Sequence, residues 1–335
     1  MSLQLAETSR GLANLGNTCS INTLIQCLGH CVEFRNMLLT TSIFHKKPDC
    51  IFSIGEELTL IWKQLWIDHN HLSPSRFLRA LQEVLGDYYQ VGREQLDFTE
   101  VWMLLIQNLL EESHNSSFTA SIQKHNHYDN DILQYLYKKS ITEWTKHTQA
   151  ASNSPLLELI QGIQVQQIEC THCHEFYHNL EPFQFTYLDF PRDNNVSLED
   201  CFDKLFNTDS VEGWKCDKCK HSENEKVLRF WKLPKLWVLI LKRFDDTRKI
   251  HTPIKYPAVF HTPYGFEMGY PEKARYELKS VAQHFGSLHG GHYNAICKNS
   301  KNEWMEYDDT HIQSVENILN ENPYAYALFY ERTSD

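Results

Sequence analysis

In the stretch GLANLGNTCSINTLIQCL, residues 11–28, Cys19 falls where a Gly/Asn/Thr turn gives way to an amphipathic helical pattern. Free amides and the positive end of the helix dipole at such a start stabilise a thiolate, and a loop-to-helix junction leaves the sulfur accessible. Cys19 is therefore a candidate nucleophile. Asn14 lies on the same turn and can present a carboxamide N–H beside the Cys19 main-chain amide. Two donors placed in that way would make an oxyanion hole.

A thiol nucleophile needs a base. Among eighteen histidines, His292 is set apart by its context. It follows Gly290-Gly291, which lets the backbone pass close to a cleft, and it opens the strand-like run HYNAICK. A second strand-like run, EWMEYDD, ends at Asp308 and Asp309, so a hairpin would set His292 beside an aspartate. A carboxylate there fixes the imidazole tautomer while the other ring nitrogen faces the thiol. Successive strand residues point to opposite faces, so only one of the two aspartates can do this.

Cys170-x-x-Cys173 and Cys216-x-x-Cys219 have the spacing of a structural four-thiolate zinc site, each pair at a turn between strand-like segments. The long gap between the pairs requires two turns that meet at the tips of an extended hairpin assembly. His172, His174 and His178 are alternative ligands, and are expected instead to decorate the surface. Cys27, Cys31, Cys50, Cys201 and Cys297 read as small apolar residues.

These groups need elements to hold them. From about Cys19 to Ser140 apolar residues recur at helical spacing, as in Ile21, Leu24, Ile25 and Leu28, or Val101, Leu104, Leu105 and Leu109. Residues 112–127 and 146–155 are polar and aperiodic, so loops are expected there with a boundary near Pro155. Beyond it the segments IQVQQIEC, PFQFTYLDF, LWVLILKRF, YELKSVAQHF, HYNAICK, EWMEYDD and YALFYER read as strands. The expected class is α+β, a helical part packed on a mostly antiparallel sheet.

A length of 335 residues allows a large core in one large unit or two closely packed ones, and 41% hydrophobic with 22% charged residues excludes a largely disordered chain. The net charge of −11 argues against nucleic acid or an anionic membrane as partner, since both require Lys and Arg to neutralise phosphate, and favours a cationic surface. MSLQLAETSR lacks a basic stretch followed by an apolar one, and no run of about 18 apolar residues occurs, so a cytosolic or nuclear, non-membrane setting is expected. In that reducing setting the ten cysteines are expected to stay thiols or bind metal. Asn115-Ser-Ser and Asn195-Val-Ser then match the glycosylation pattern by chance.

The blocks GLANLGNTCSINTLIQ and HFGSLHGGHYNAICK with WMEYDDTHI resemble the cysteine and histidine boxes of the ubiquitin-specific proteases. QLDFTEVWMLL, PFQFTYLDFP, SLEDCFDKLF, LPKLWVLILKRF, IKYPAVF and AYALFYER resemble further blocks of that family in the same order, from about Gly11 to Arg332. The resemblance implies a single catalytic domain over 11–333 with a papain-like fold. A helical thumb would span about 11–150 and a β-sheet palm about 156–333, with zinc-bearing fingers from about 160–180 and 205–245. It implies Cys19 as nucleophile, His292 as general base and acid, Asp308 as the orienting residue, with Asp309 beside it, and Asn14 as oxyanion donor. Asp97 and Glu100 match acidic positions that engage the basic tail of ubiquitin, and Gly291 and Tyr293 flank the histidine on the substrate side. Cys170, Cys173, Cys216 and Cys219 match the ligands of a structural zinc ion, and no organic cofactor is expected. Ser20 stands where the family usually has an aromatic residue.

The activity so implied is thiol-dependent hydrolysis of the bond after ubiquitin's terminal glycine, by an enzyme expected to be monomeric. Two alternatives stay open: a protease for another ubiquitin-like modifier, and a catalytically silent ubiquitin-binding module.

Overall fold

The computed structural model describes residues 10–333 except 67–71, 87–88, 116–117, 119–121, 123–130, 152, 192–195, 245–247, 264–265, 270–272, 288–289 and 320. Ser116, Ser117 and Asn195 of the glycosylation-type sequences lie outside the described residues, as does most of the expected loop 112–127.

Helices come first. They are α1 (Cys19–Gly29), α2 (Val32–Thr40), α3 (Ile54–Trp66), α4 (Ser75–Leu85), α5 (Phe98–Glu112), α6 (Asp131–Ala150) and the short α7 (Leu157–Ile160). Two are capped from a distance by buried carboxylates. Glu112 accepts from Ile54 N at 2.9 Å and Gly55 N at 2.8 Å, and Glu331 accepts from Val32 N at 3.2 Å and Glu33 N at 2.6 Å. Each carboxylate satisfies free helix-start amides and locks one element to another. Among the described residues no helix is long and apolar enough to cross a membrane.

Helix α6 corrects the expected loop 146–155, since it continues to Ala150. Its buried residues are Leu136, Ser140, Trp144 and Thr148, one per turn. Two of these four are small hydroxyl residues, so the inward stripe carries no apolar period to read.

The strands then follow as β1 (Gly162–Cys170), β2 (Phe176–Phe183), β3 (Phe185–Leu188) and β4 (Val196–Ser197), before α8 (Leu198–Leu205). After it come β5 (Asp209–Ser210), β6 (Asn224–Lys232), β7 (Leu236–Leu241), β8 (Ile254–Lys255), β9 (Val259–His261) and β10 (Arg275–Ser287). The last are β11 (Gly290–Lys298), β12 (Trp304–Asp308), β13 (His311–Ser314) and β14 (Ala325–Thr333).

One sheet has the order β2-β1-β6-β5. The main sheet runs β13-β12-β11-β10-β14-β7-β3, with β9 on β10. The run PFQFTYLDF divides between the two: Phe183 ends β2, and Phe185–Leu188 pairs in parallel with β7. The stretch 236–241, inside the range expected for the fingers, lies in the main sheet as β7.

The main sheet separates two hydrophobic cores. Along β7, Val238 and Ile240 face the core shared with the helices, while Trp237, Leu239 and Leu241 face a second core behind the sheet. Helix α1 is buried along its entire length, packed between α5 and strands β10 and β11. Each fully buried Leu or Ile there contributes about 1.5–3 kcal/mol, which fixes the helix carrying Cys19 against the strand carrying His292.

Candidate active site

The turn before α1 is shaped by Gly16 at φ +97 and Asn17 at φ +43. A Cβ on Gly16 would lie 2.6 Å from the Gly92 carbonyl oxygen, so only glycine fits where this turn rests on the loop before α5. Inside the turn Asn14 Oδ1 accepts from Gly16 N at 3.1 Å, Thr18 N at 3.2 Å and Thr18 Oγ1 at 3.1 Å. With its oxygen committed inward, the carboxamide presents Nδ2 outward. One Nδ2 hydrogen bonds Asp309 Oδ2 at 2.8 Å, which leaves the second free to face a substrate oxygen.

Strands β11 and β12 form the expected hairpin, paired from Ala295–Tyr307 to Lys298–Trp304. His292 Nε2 and Asp308 Oδ1 are 2.5 Å apart. The other ring nitrogen, Nδ1, is thereby left for the cysteine side. Asp309 turns the other way at φ +50, a conformation that aspartate tolerates, and its carboxylate accepts from both Asn14 and Asn22 Nδ2. The two adjacent aspartates thus have different partners, which separates the alternatives left open by strand alternation. One ring nitrogen of His292 and one carboxylate oxygen from each of Asp308 and Asp309 still lie within 4.8 Å of one another.

Cys19 is 4% exposed, so its sulfur is buried rather than accessible as its place at the helix start leads one to expect. Burial pushes its thiol pKa up, and the Asp309 charge adds to this, while main-chain N–H groups of Tyr293 and Ser20 act in the opposite sense. Among the described residues no hydrogen bond joins its sulfur to His292; Gln95 Nε2 lies at 4.0 Å. Burial and the Asp309 charge thus favour the thiol form of Cys19, while His292 is already paired with Asp308.

A cleft of about 350 Å³ is lined by Gln95, Asp97, Phe244, His284 and the two chain neighbours of His292, Gly291 and Tyr293, among others. A Cβ on Gly291 would lie 2.2 Å from His284 Nε2 and 2.1 Å from the Phe285 carbonyl, so this wall requires glycine. Asp97 caps α5 by accepting from Thr99 N at 2.7 Å, and its other oxygen accepts from Tyr293 at 3.1 Å and Tyr326 at 3.2 Å. Glu100, on the first turn of α5, lines a second groove with Met103, Pro182 and Phe185. Both acids sit at a helix start, where negative charge is favoured.

At the far end of β1 and before β6 the four cysteines converge, with Sγ atoms all within 4.8 Å of one another. Cys170–Cys219 and Cys173–Cys216 are 3.6 Å apart. Sulfurs about 2.3 Å from a tetrahedral zinc ion are about 3.8 Å from each other, a spacing close to that of these two pairs, so the group suits that metal. The two turns share one design. In each, the first cysteine's N–H donates to a carbonyl five residues on, at 3.0 Å to Glu175 and 2.8 Å to His221. The residue after the second cysteine, His174 or Lys220, has positive φ and donates back to the first cysteine's carbonyl. His172, His174 and His178 do not join the four-sulfur group.

Two residues at the site escaped the sequence reading. Asn22 is buried within the apolar face of α1, yet its Nδ2 reaches Ala13 O at 3.3 Å and Asp309 Oδ1 at 2.8 Å. A lone asparagine amid Ile21, Leu24 and Ile25 was the available signal. Gln95 has no such signature, because its partners are 76 and 196 residues away.

Comparison with known proteins follows the same lines. A family model described as ubiquitin carboxyl-terminal hydrolase matches residues 10–330. The Drosophila melanogaster ubiquitin carboxyl-terminal hydrolase Usp2 is 28% identical over 344 residues, covering 96% of this chain and 35% of that protein. Human ubiquitin carboxyl-terminal hydrolase 2 is 26% identical over 352 residues, covering 100% of this chain and 57% of that protein. The chain thus spans less than two thirds of the length of these curated relatives. In the solved SAGA Ubp8/Sgf11/Sus1/Sgf73 DUB module bound to ubiquitin aldehyde, a chain 21% identical superposes with a TM-score of 0.75, covering 99% of this chain and 72% of that one. At that identity the likeness speaks for the fold of thumb, palm and fingers.

Proposed function

The chain belongs to the ubiquitin carboxyl-terminal hydrolase family, and from that premise we propose that it is a thiol-dependent deubiquitinase cleaving the bond after ubiquitin's terminal glycine. The observation that carries the reading is the division between Asp308, paired with His292, and Asp309, paired with Asn14, beside the helix start that bears Cys19.

In the proposed reaction His292 takes the Cys19 proton at Nδ1, and the resulting imidazolium is stabilised by Asp308. The thiolate attacks the terminal glycine carbonyl. The oxyanion is met by the second N–H of Asn14 and the main-chain N–H of Cys19. Collapse expels the substrate lysine amine, which takes the proton from His292 and leaves a thioester on Cys19. Water, deprotonated by His292, then hydrolyses the thioester and restores the thiol. Because burial raises the thiol pKa of the free site, Cys19 must hand its proton to His292 before it can attack.

Asp97 and Glu100 are proposed to meet the basic residues of the tail, in keeping with the net charge of −11. The four-cysteine group is proposed to hold a structural zinc ion that joins the finger strands, with no part in the chemistry. A reducing cytosolic or nuclear setting and a monomeric state belong to the same proposal.

A ubiquitin probe with an electrophilic C-terminus tests it. The reading requires a covalent adduct on Cys19, and requires that Cys19→Ala lose hydrolysis of a ubiquitin–fluorophore conjugate while still binding ubiquitin. The absence of a Cys19–His292 hydrogen bond favours a second reading, a silent binding module, which predicts binding without an adduct. An adduct only with a different modifier in a probe panel would redirect the substrate assignment.

A further inference from the structure

Gln95 stands on the helical side of the cleft, just before α5, and spans it. Its Nε2 donates to the Gly291 carbonyl at 2.5 Å, and its Oε1 accepts from the Gly291 N–H at 3.3 Å. A single carboxamide thus engages both main-chain groups of one strand residue, as one residue of an added antiparallel strand would. Among the described residues, the place where this occurs is a strand edge with no main-chain partner. Strand β11 pairs with β10 through Gly291–Gly286, but on its other side β12 pairs only from Ala295 onward. An edge of this kind is a template for an extended chain. The same Nε2 is 4.0 Å from Cys19 Sγ, and both Gln95 and Gly291 line the cleft.

We propose that Gln95 is a latch: in the free protein its side chain occupies the main-chain docking position on Gly291, and an incoming extended tail must displace it to reach Cys19. The tail as occupant rests on the reading of this cleft given above, whereas the covering of Cys19 does not. Because Gly291 immediately precedes His292, exchanging the carboxamide for a substrate peptide group also changes what holds the histidine's strand at the moment of binding. Two partly solvated hydrogen bonds lower the population of the open cleft, and with it the apparent affinity, by about three- to tenfold. Gln95 is exposed, so its truncation leaves the core intact.

The test compares the full chain with Gln95→Ala by two readouts. Alkylation of Cys19 by iodoacetamide, scored against a Cys19→Ala control, needs no ubiquitin and is expected to accelerate about three- to tenfold. Hydrolysis of a ubiquitin–fluorophore conjugate is expected to show KM lowered by a similar factor while kcat holds. Unchanged or slower alkylation overturns the latch, as does an unmoved or raised KM. A fall in kcat overturns it too, since that would make the carboxamide a donor to the oxyanion. If the wild-type chain does not turn over the conjugate, the functional reading fails and alkylation alone decides the latch.

Discussion

Asn14 and Asp309, 295 residues apart in the chain, are joined by a hydrogen bond of 2.8 Å between Nδ2 and Oδ2. It couples the turn ahead of the candidate nucleophile to the end of the strand that carries Asp308. The two aspartates should therefore fail differently. Asp308→Ala is expected to lower kcat by about 10⁴, the scale of losing a histidine's orienting carboxylate. Asp309→Ala should lower kcat by about 10² to 10³, like the loss of one oxyanion donor. Combined with Asn14→Ala it should add little, because both remove the same interaction. Full additivity in steady-state kinetics would show that Asp309 acts independently of Asn14.

Asp97 serves as a helix cap and a charge at once, and substitutions can separate the two. Asp97→Asn keeps an oxygen for Thr99 N but removes the charge and sets an amide donor before the Tyr293 and Tyr326 hydroxyls, which can turn to accept from it, so KM should rise with only a small fall in melting temperature. Asp97→Ala removes the cap and the acceptor of two buried tyrosine hydroxyls, and should also cost about 2 kcal/mol or more of stability. Equal melting temperatures for the two variants would remove the capping argument.

For the four-cysteine group, metal analysis of fresh protein should find about one zinc ion per chain. Chelation or Cys216→Ser should lower the melting temperature by several degrees or more, because metal binding and local folding are linked there. The alkylation rate of Cys19 should not follow that change. A ratio well below one zinc ion would sink the assignment.

Acid should destabilise the helical half through His30. It is buried, its Nδ1 lies 2.8 Å from the Gln26 carbonyl and its Nε2 lies 3.2 Å from the Tyr307 hydroxyl. Burial lowers its pKa to about 4. Between pH 6.5 and 4 the unfolded chain binds a proton that the folded chain does not, so stability falls as pH falls through that window. For this residue the loss is on the order of 3 kcal/mol. Glu267 opposes it, since burial raises its pKa to about 7 and makes folding favour the protonated acid. The change in melting temperature from pH 7 to 4 should be less unfavourable in His30→Gln than in the parent chain, and an identical profile would remove His30 from the account.

The site's residues were legible in proportion to how local their signals are. Cys19 at a helix start, His292 after two glycines and the paired Cys-x-x-Cys turns announce themselves within a few residues, and the fold brings the four cysteines together and sets His292 on Asp308. The partners of Asp309, Asn22 and Gln95 are decided by long-range pairing, to which no short window is sensitive. The same limit hid the end of α6, whose inward stripe is half hydroxyl residues. It also hid β2 and β6, which are only partly buried along much of their length and so lack a clear alternation.

The main sheet, with helices and Cys19 on one face and a separate aromatic cluster on the other, divides the chain's freedom to vary. Substitutions among Phe202, Phe230, Phe266 and their neighbours are confined behind a strand layer that the site does not cross. Their effects on stability should add to, rather than couple with, changes around α1. Over evolutionary time such a rear compartment can drift or be remodelled into a surface for new regulators while the chemistry in front keeps its geometry.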